Sequence, residues 1–110
     1  MGTNDETGTS GEVPGADVPD AEVVDNPALH RYELRHDGSV VGVVQYRIDG
    51  DVMTIPHVEV AGQLRGKGVS GPFLDEVLAR IEARGLKVVP TCGYAASHIA
   101  ARPDLRHLVA

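Results

Sequence analysis

The hydrophobic period of the chain changes at Val69, and that change limits the folds open to it. Before it, Ser39 to Ile48 (SVVGVVQYRI) and Val52 to Val60 (VMTIPHVEV) are crowded with β-branched residues, which favour strands. Asp49-Gly50-Asp51 between them is a turn signal. Upstream, Leu29 to Arg35 alternates between apolar and charged residues as a half-exposed strand does, and Asp37-Gly38 marks a hairpin. Pro56 cannot donate to a ladder, so a bulge or splayed edge is expected there. From Val69 onward Phe73, Leu74, Val77, Leu78 and Ile81 fall at helical spacing, with Asp75, Glu76, Arg80, Glu82 and Arg84 on the other face. Gly85 stops that helix. Leu86 to Pro90 reads as a short buried strand, and Cys92 to Arg102 as a second helix that closes near Pro103. The order β-β-β-α-β-α predicts an α/β chain of the α+β sandwich type, with two main helices on a mainly antiparallel sheet.

Length and charge set the boundaries. The chain has 110 residues, enough for one domain. Residues 1–25 carry seven acidic side chains and no Lys or Arg among many Gly, Thr and Pro, so they predict a disordered acidic tail. Residues 26–110 are then the folded domain. The net charge of −6 belongs to that tail; the remaining ten bases and nine acids leave the domain at +1. A near-neutral domain gives no ground for nucleic-acid binding. No apolar stretch is long enough to span a membrane, and no metal-ligand set stands out. One cysteine excludes an internal disulfide, and with no signal-peptide pattern the expected location is cytoplasmic. Open strand edges on so short a domain allow a monomer or a homodimer.

Between the last strand-like run and the helix lies Gln63-Leu64-Arg65-Gly66-Lys67-Gly68-Val69. A strand that runs through a glycine turn into a helix start can form an anion site. The first helical N–H groups have no intrahelical partners, and glycine lets a phosphate approach the backbone. A turn that merely needs small residues would read the same. Neither the P-loop pattern nor G-x-G-x-x-G is present.

The pattern Gln63-x-x-Gly66-x-Gly68 resembles the Q/R-x-x-G-x-G/A element of the GCN5-related N-acetyltransferases. Together with the His57-x-Glu59-Val60 strand and Val88-Val89-Pro90-x-Cys92, it is similar to the small single-domain branch of that superfamily, over His57 to Val109. The resemblance implies acetyl-CoA as cofactor and an amine from a protein, peptide or small molecule as acceptor. It places the backbone of His57, Val58, Glu59 and Val60 beside the pantetheine arm. The pyrophosphate falls to Arg65, Gly66, Lys67, Gly68 and Val69. Pro72 departs from the usual helix formers but fits a first helical turn, where its missing N–H costs nothing.

Three side chains are candidates for chemistry. Cys92 follows a strand-ending Pro90-Thr91 at a helix start, where a thiol can act as nucleophile or proton carrier; a free cysteine is also commonly a small buried apolar residue. Glu59 and His57 are two residues apart, so a strand places both on one face, and either suits a general base. Tyr94 and His98 share a face of the last helix. The tyrosine usual further along that helix is replaced by Ala100 and Ala101, and Tyr94 is assigned to packing. A non-catalytic acyl-CoA-binding module would keep the glycine turn without that catalytic set. A protein-interaction module would need neither.

Overall fold

The structure, a computed structural model, describes residues 21–64 and 68–110. Residues 1–20, the turn residues Arg65, Gly66 and Lys67, and the side chain of Gln63 lie outside the described residues. The chain forms β1 (Glu22–Asn26), β2 (Arg31–His36), β3 (Ser39–Asp49), β4 (Val52–Val60), α1 (Ser70–Ala83), β5 (Lys87–Pro90) and α2 (Gly93–Ala100), with short 3-10 turns between and after them. The five strands make one sheet in the order β1-β2-β3-β4-β5, antiparallel except for the parallel β4–β5 pair. No helix among the described residues is long and apolar enough to cross a membrane.

The fold class matches the expectation, with one strand added in front. β1 begins at Glu22, inside the stretch read as tail. The acidic count there concealed Val23, which is fully buried opposite Leu34. Asp25 is also partnered: it accepts a 2.8 Å hydrogen bond from the Tyr46 hydroxyl and lies 3.8 Å from Arg84. Arg84 in turn donates to the Tyr32 hydroxyl at 3.0 Å. Burial, then the neighbouring Asp25 carboxylate, pushes the Tyr46 phenol above its ordinary range.

The turns follow their sequence signals. Asp37 and Gly38 both have positive φ, as a two-residue hairpin of the I′ type requires, and they join His36 to its partner Ser39. Gly85 ends α1 in the left-handed conformation. Its N–H donates to Glu82, and that of Leu86 to Ile81, the bond pair of a Schellman cap.

Helix α1 has no side-chain cap at its start and opens Ser70-Gly71-Pro72, so local propensity does little for it. Packing holds it instead. Phe73, Leu74, Val77, Leu78 and Ile81 are all fully buried, each worth about 1.5–3 kcal/mol relative to exposure. They share one core with Tyr32, Leu34, Val44, Met53 and Ile55 of the sheet. Gly42 lets them close: a Cβ there would meet Phe73 Cε2 at 3.1 Å and the Glu59 carbonyl at 3.3 Å. Helix α2 joins the same side, its Ala95 and Ile99 entering the core. Among the described residues, no helix lies over the other face of the sheet.

Candidate functional site

The site starts from the proline in β4. Between the pairs Gln45↔His57 and Arg47↔Thr54, β3 has one residue, Tyr46, while β4 has two, Ile55 and Pro56. The expected bulge is there, at Pro56. Parallel pairing with β5 covers only Val52 to Ile55. The Ile55 carbonyl then accepts the N–H groups of Thr91 and Cys92, at 3.1 and 3.0 Å, as the chain leaves β5 for α2. His57 to Val60 continue with β3 on one side and no β5 partner on the other.

The gap so opened is a cleft of about 500 Å³ lined by His57, Val58, Glu59, Val60, Ser70 and Tyr94. On the β4 wall His57 Nε2 lies 3.0 Å from Glu59 Oε1, and both side chains are about half exposed. The strand alternation therefore puts this pair on one face, as its spacing required. On the opposite wall the Tyr94 hydroxyl donates to Ser70 Oγ at 3.1 Å, which joins the first turn of α2 to the first residue of α1. The Tyr94 ring stands 6.0 Å from that of His98. His98 Nε2 is 2.7 Å from Asp75 Oδ1, and Arg102 reaches Asp75 Oδ2 at 3.1 Å and Asp104 Oδ2 at 3.0 Å. The Asp104 carboxylate, then that of Asp75, raises the Arg102 pKa, and Arg102 correspondingly holds the Asp104 carboxyl low. Asp75 thus pins α2 to α1 and fixes the wall that carries Tyr94.

Gly68, just before α1, has a φ of +69°, and among the described residues nothing lies within 4 Å of a Cβ position there. Val69 is buried at the cap position. Cys92 takes the N-cap of α2 without a side-chain capping bond and packs partly buried against the core. It stands at the apex where β4 and β5 part and is not among the residues lining the cleft.

Over this geometry, the family model for GCN5-related N-acetyl-transferases matches residues 31–108, most of the chain. The chain belongs to the GCN5-related N-acetyltransferase family. No curated protein matches it. Among solved structures, a GCN5-like protein from Staphylococcus aureus shares the fold with a TM-score of 0.65 at 18% identity, over 84% of this chain and 91% of that one. A GNAT-family protein from Novosphingobium aromaticivorans superposes with a TM-score of 0.50 at 22% identity over 86% of this chain. The present chain spans 54% of that larger protein.

In this GCN5-related N-acetyltransferase the sequence located the β4 wall but not the facing one. Tyr94, assigned to packing, presents its hydroxyl to the cleft and is 42% exposed. Ser70 carries no local sequence signal of a site. The available signal was Tyr94's position two residues beyond Cys92, in the first turn of a helix that starts where a strand ends. Reading it required knowing that β4 and β5 part there.

Proposed function

We propose that this protein is an acetyl-CoA-dependent N-acetyltransferase that moves an acetyl group to an amine acceptor. The observation that carries the reading is the cleft itself: a strand freed from its parallel neighbour at a bulge, with a carboxylate–imidazole pair on one wall and a tyrosine hydroxyl on the other. The residues fit a CoA ester on two counts. Among the described residues, the backbone of His57 to Val60 has no strand partner on the cleft side and is available to pair with the pantetheine amides. The open left-handed Gly68 leaves room for a phosphate before the first N–H groups of α1. Arg65, Gly66 and Lys67, outside the described residues, complete that cradle with Gly68 and Val69 in the family reading.

Acetyl-CoA supplies the acetyl group as an activated thioester. Glu59, with His57, takes a proton from the acceptor ammonium, which frees the nitrogen lone pair for the carbonyl carbon. As the C–N bond forms and the C–S bond breaks, the Tyr94 hydroxyl would give its proton to the departing sulfur and regain one from the nitrogen, which sheds its second proton as the amide forms. Cys92 closes the apex beside the acetyl end.

The test follows thiol release from acetyl-CoA with an amine panel, in the wild type and in Glu59→Gln. Acceptor-dependent release that Glu59→Gln abolishes supports transfer. Tight acetyl-CoA binding with no release for any amine would reduce the protein to an acyl-CoA-binding module.

A further inference from the structure

The helix-free face of the sheet carries a second concavity of about 280 Å³, whose lining includes Arg31, Val43, Gln45 and Glu59. Glu59 lines both this groove and the cleft. A group seated in the groove would therefore reach the carboxylate from the side opposite to the cleft. We propose that this groove holds the acceptor, and that the acceptor is an amine bearing a carboxylate, whose anion binds Arg31 while its nitrogen meets Glu59. The inference rests on the acetyltransferase reading of the cleft.

Arg31 is prepared for an anion. Glu33, only 1% exposed, accepts Asn26 Nδ2 at 2.9 Å, Arg31 Nε at 2.8 Å, and Arg35 Nε and Nη2 at 3.0 and 2.7 Å. Burial would raise its carboxyl pKa, but the bonds from Arg35, Asn26 and Arg31 outweigh that and hold it ionised. Arg35 commits two nitrogens of its fork to Glu33. Among the described residues Arg31 commits Nε alone, so its two terminal nitrogens stay available for a paired contact with a second carboxylate. The buried Glu33 fixes the guanidinium in advance, which lowers the entropy cost of binding. Arg31 pairs with Gln45, and Gln45 with His57, so about 10 Å separates the Arg31 backbone from the β4 wall. That span suits an amino acid with an amine-bearing side chain, and equally a peptide lysine with an acidic neighbour.

The experiment compares matched acceptors on the full chain: L-lysine against cadaverine, and a lysine peptide flanked by aspartate against one flanked by alanine. In at least one pair, the carboxylate-bearing member should have a kcat/KM about 10- to 100-fold higher, the range of a charged hydrogen bond. That pair identifies the source of the anion. Arg31→Gln should erase the preference by raising acceptor KM, with kcat and acetyl-CoA affinity unchanged. Arg35→Gln removes the same kind of partner from Glu33 outside the groove, and should keep the preference. No preference in either pair, or equal losses in both variants, would overturn the proposal. A direct titration separates this from failure of the transferase reading. The Val43 and Gln45 amides should shift with the preferred carboxylate acceptor and not with its matched partner, whether or not acetyl-CoA turns over. Absence of that difference, or its survival in Arg31→Gln, also overturns it.

Discussion

Glu59 and Glu33 lie on the same face of neighbouring ladders and have opposite fates. Glu59 is 61% exposed at the cleft and is the base of the proposed transfer. Replacing it by glutamine should lower kcat by about 10²–10⁴-fold, the usual size of a general-base contribution, with acetyl-CoA affinity unchanged in a direct titration. A fall in cofactor affinity alone would give Glu59 a binding role. Glu33, sealed among Asn26, Arg31 and Arg35, is structural, and its pKa lies below the ordinary glutamate value of 4.5. The unfolded chain therefore binds a proton that the folded chain does not. The stability from Glu33 is complete above about pH 4.5 and is lost as pH falls through the lower folded value. Urea midpoints of the wild type should drop below pH 4.5, and Glu33→Gln should flatten that part of the curve while costing roughly 2–3 kcal/mol at neutral pH. Alternation marked Glu33 as the exposed side of a half-exposed strand. Its burial arises from partners on two strands, which no local pattern reveals.

The elements were legible where the signal was local. Asp37-Gly38, the run to Ile81 and the Gly85 stop each depend on residues close together in sequence, and each formed as expected. β1 was not legible, because Val23 finds Leu34 eleven residues on and Asp25 finds Tyr46 twenty-one residues on. The His57–Glu59 wall was legible because a strand period alone brings the two side chains together. The Tyr94–Ser70 wall was not, since it depends on β4 and β5 parting and on Asp75 holding two helices together. At this scale Gly42 is the sensitive point. Gly42→Ala would press a methyl group on Phe73 and on the Glu59 carbonyl, and should cost about 1–3 kcal/mol in denaturant midpoint. It should also weaken acetyl-CoA binding, because the contact moves β4 at the cleft; an unchanged midpoint would mean that α1 can retreat freely.

At the scale of the molecule, the five strands and two helices of the described residues hold the cleft beside β4, and the groove proposed for the acceptor shares Glu59 with it. β1 is the first described element, so truncation should discriminate sharply. Removing residues 1–20 should leave thermal stability and acetyl-CoA affinity unchanged, whereas removal through Asn26 also strips Val23 from the core and Asp25 from Tyr46. That deletion should cost several kcal/mol, about 1.5–3 of it from the valine alone. Equal stability of the two forms would mean that β1 is dispensable. The central claim, that the parting of β4 from β5 makes an acetyl-CoA site, is tested most directly by an amide-resolved titration with acetyl-CoA. The predicted shifts concentrate at His57 to Val60, Gly68 to Gly71 and Tyr94, and saturate together at one stoichiometric equivalent. No shifts at those positions, or shifts confined to the β1 edge, would contradict it.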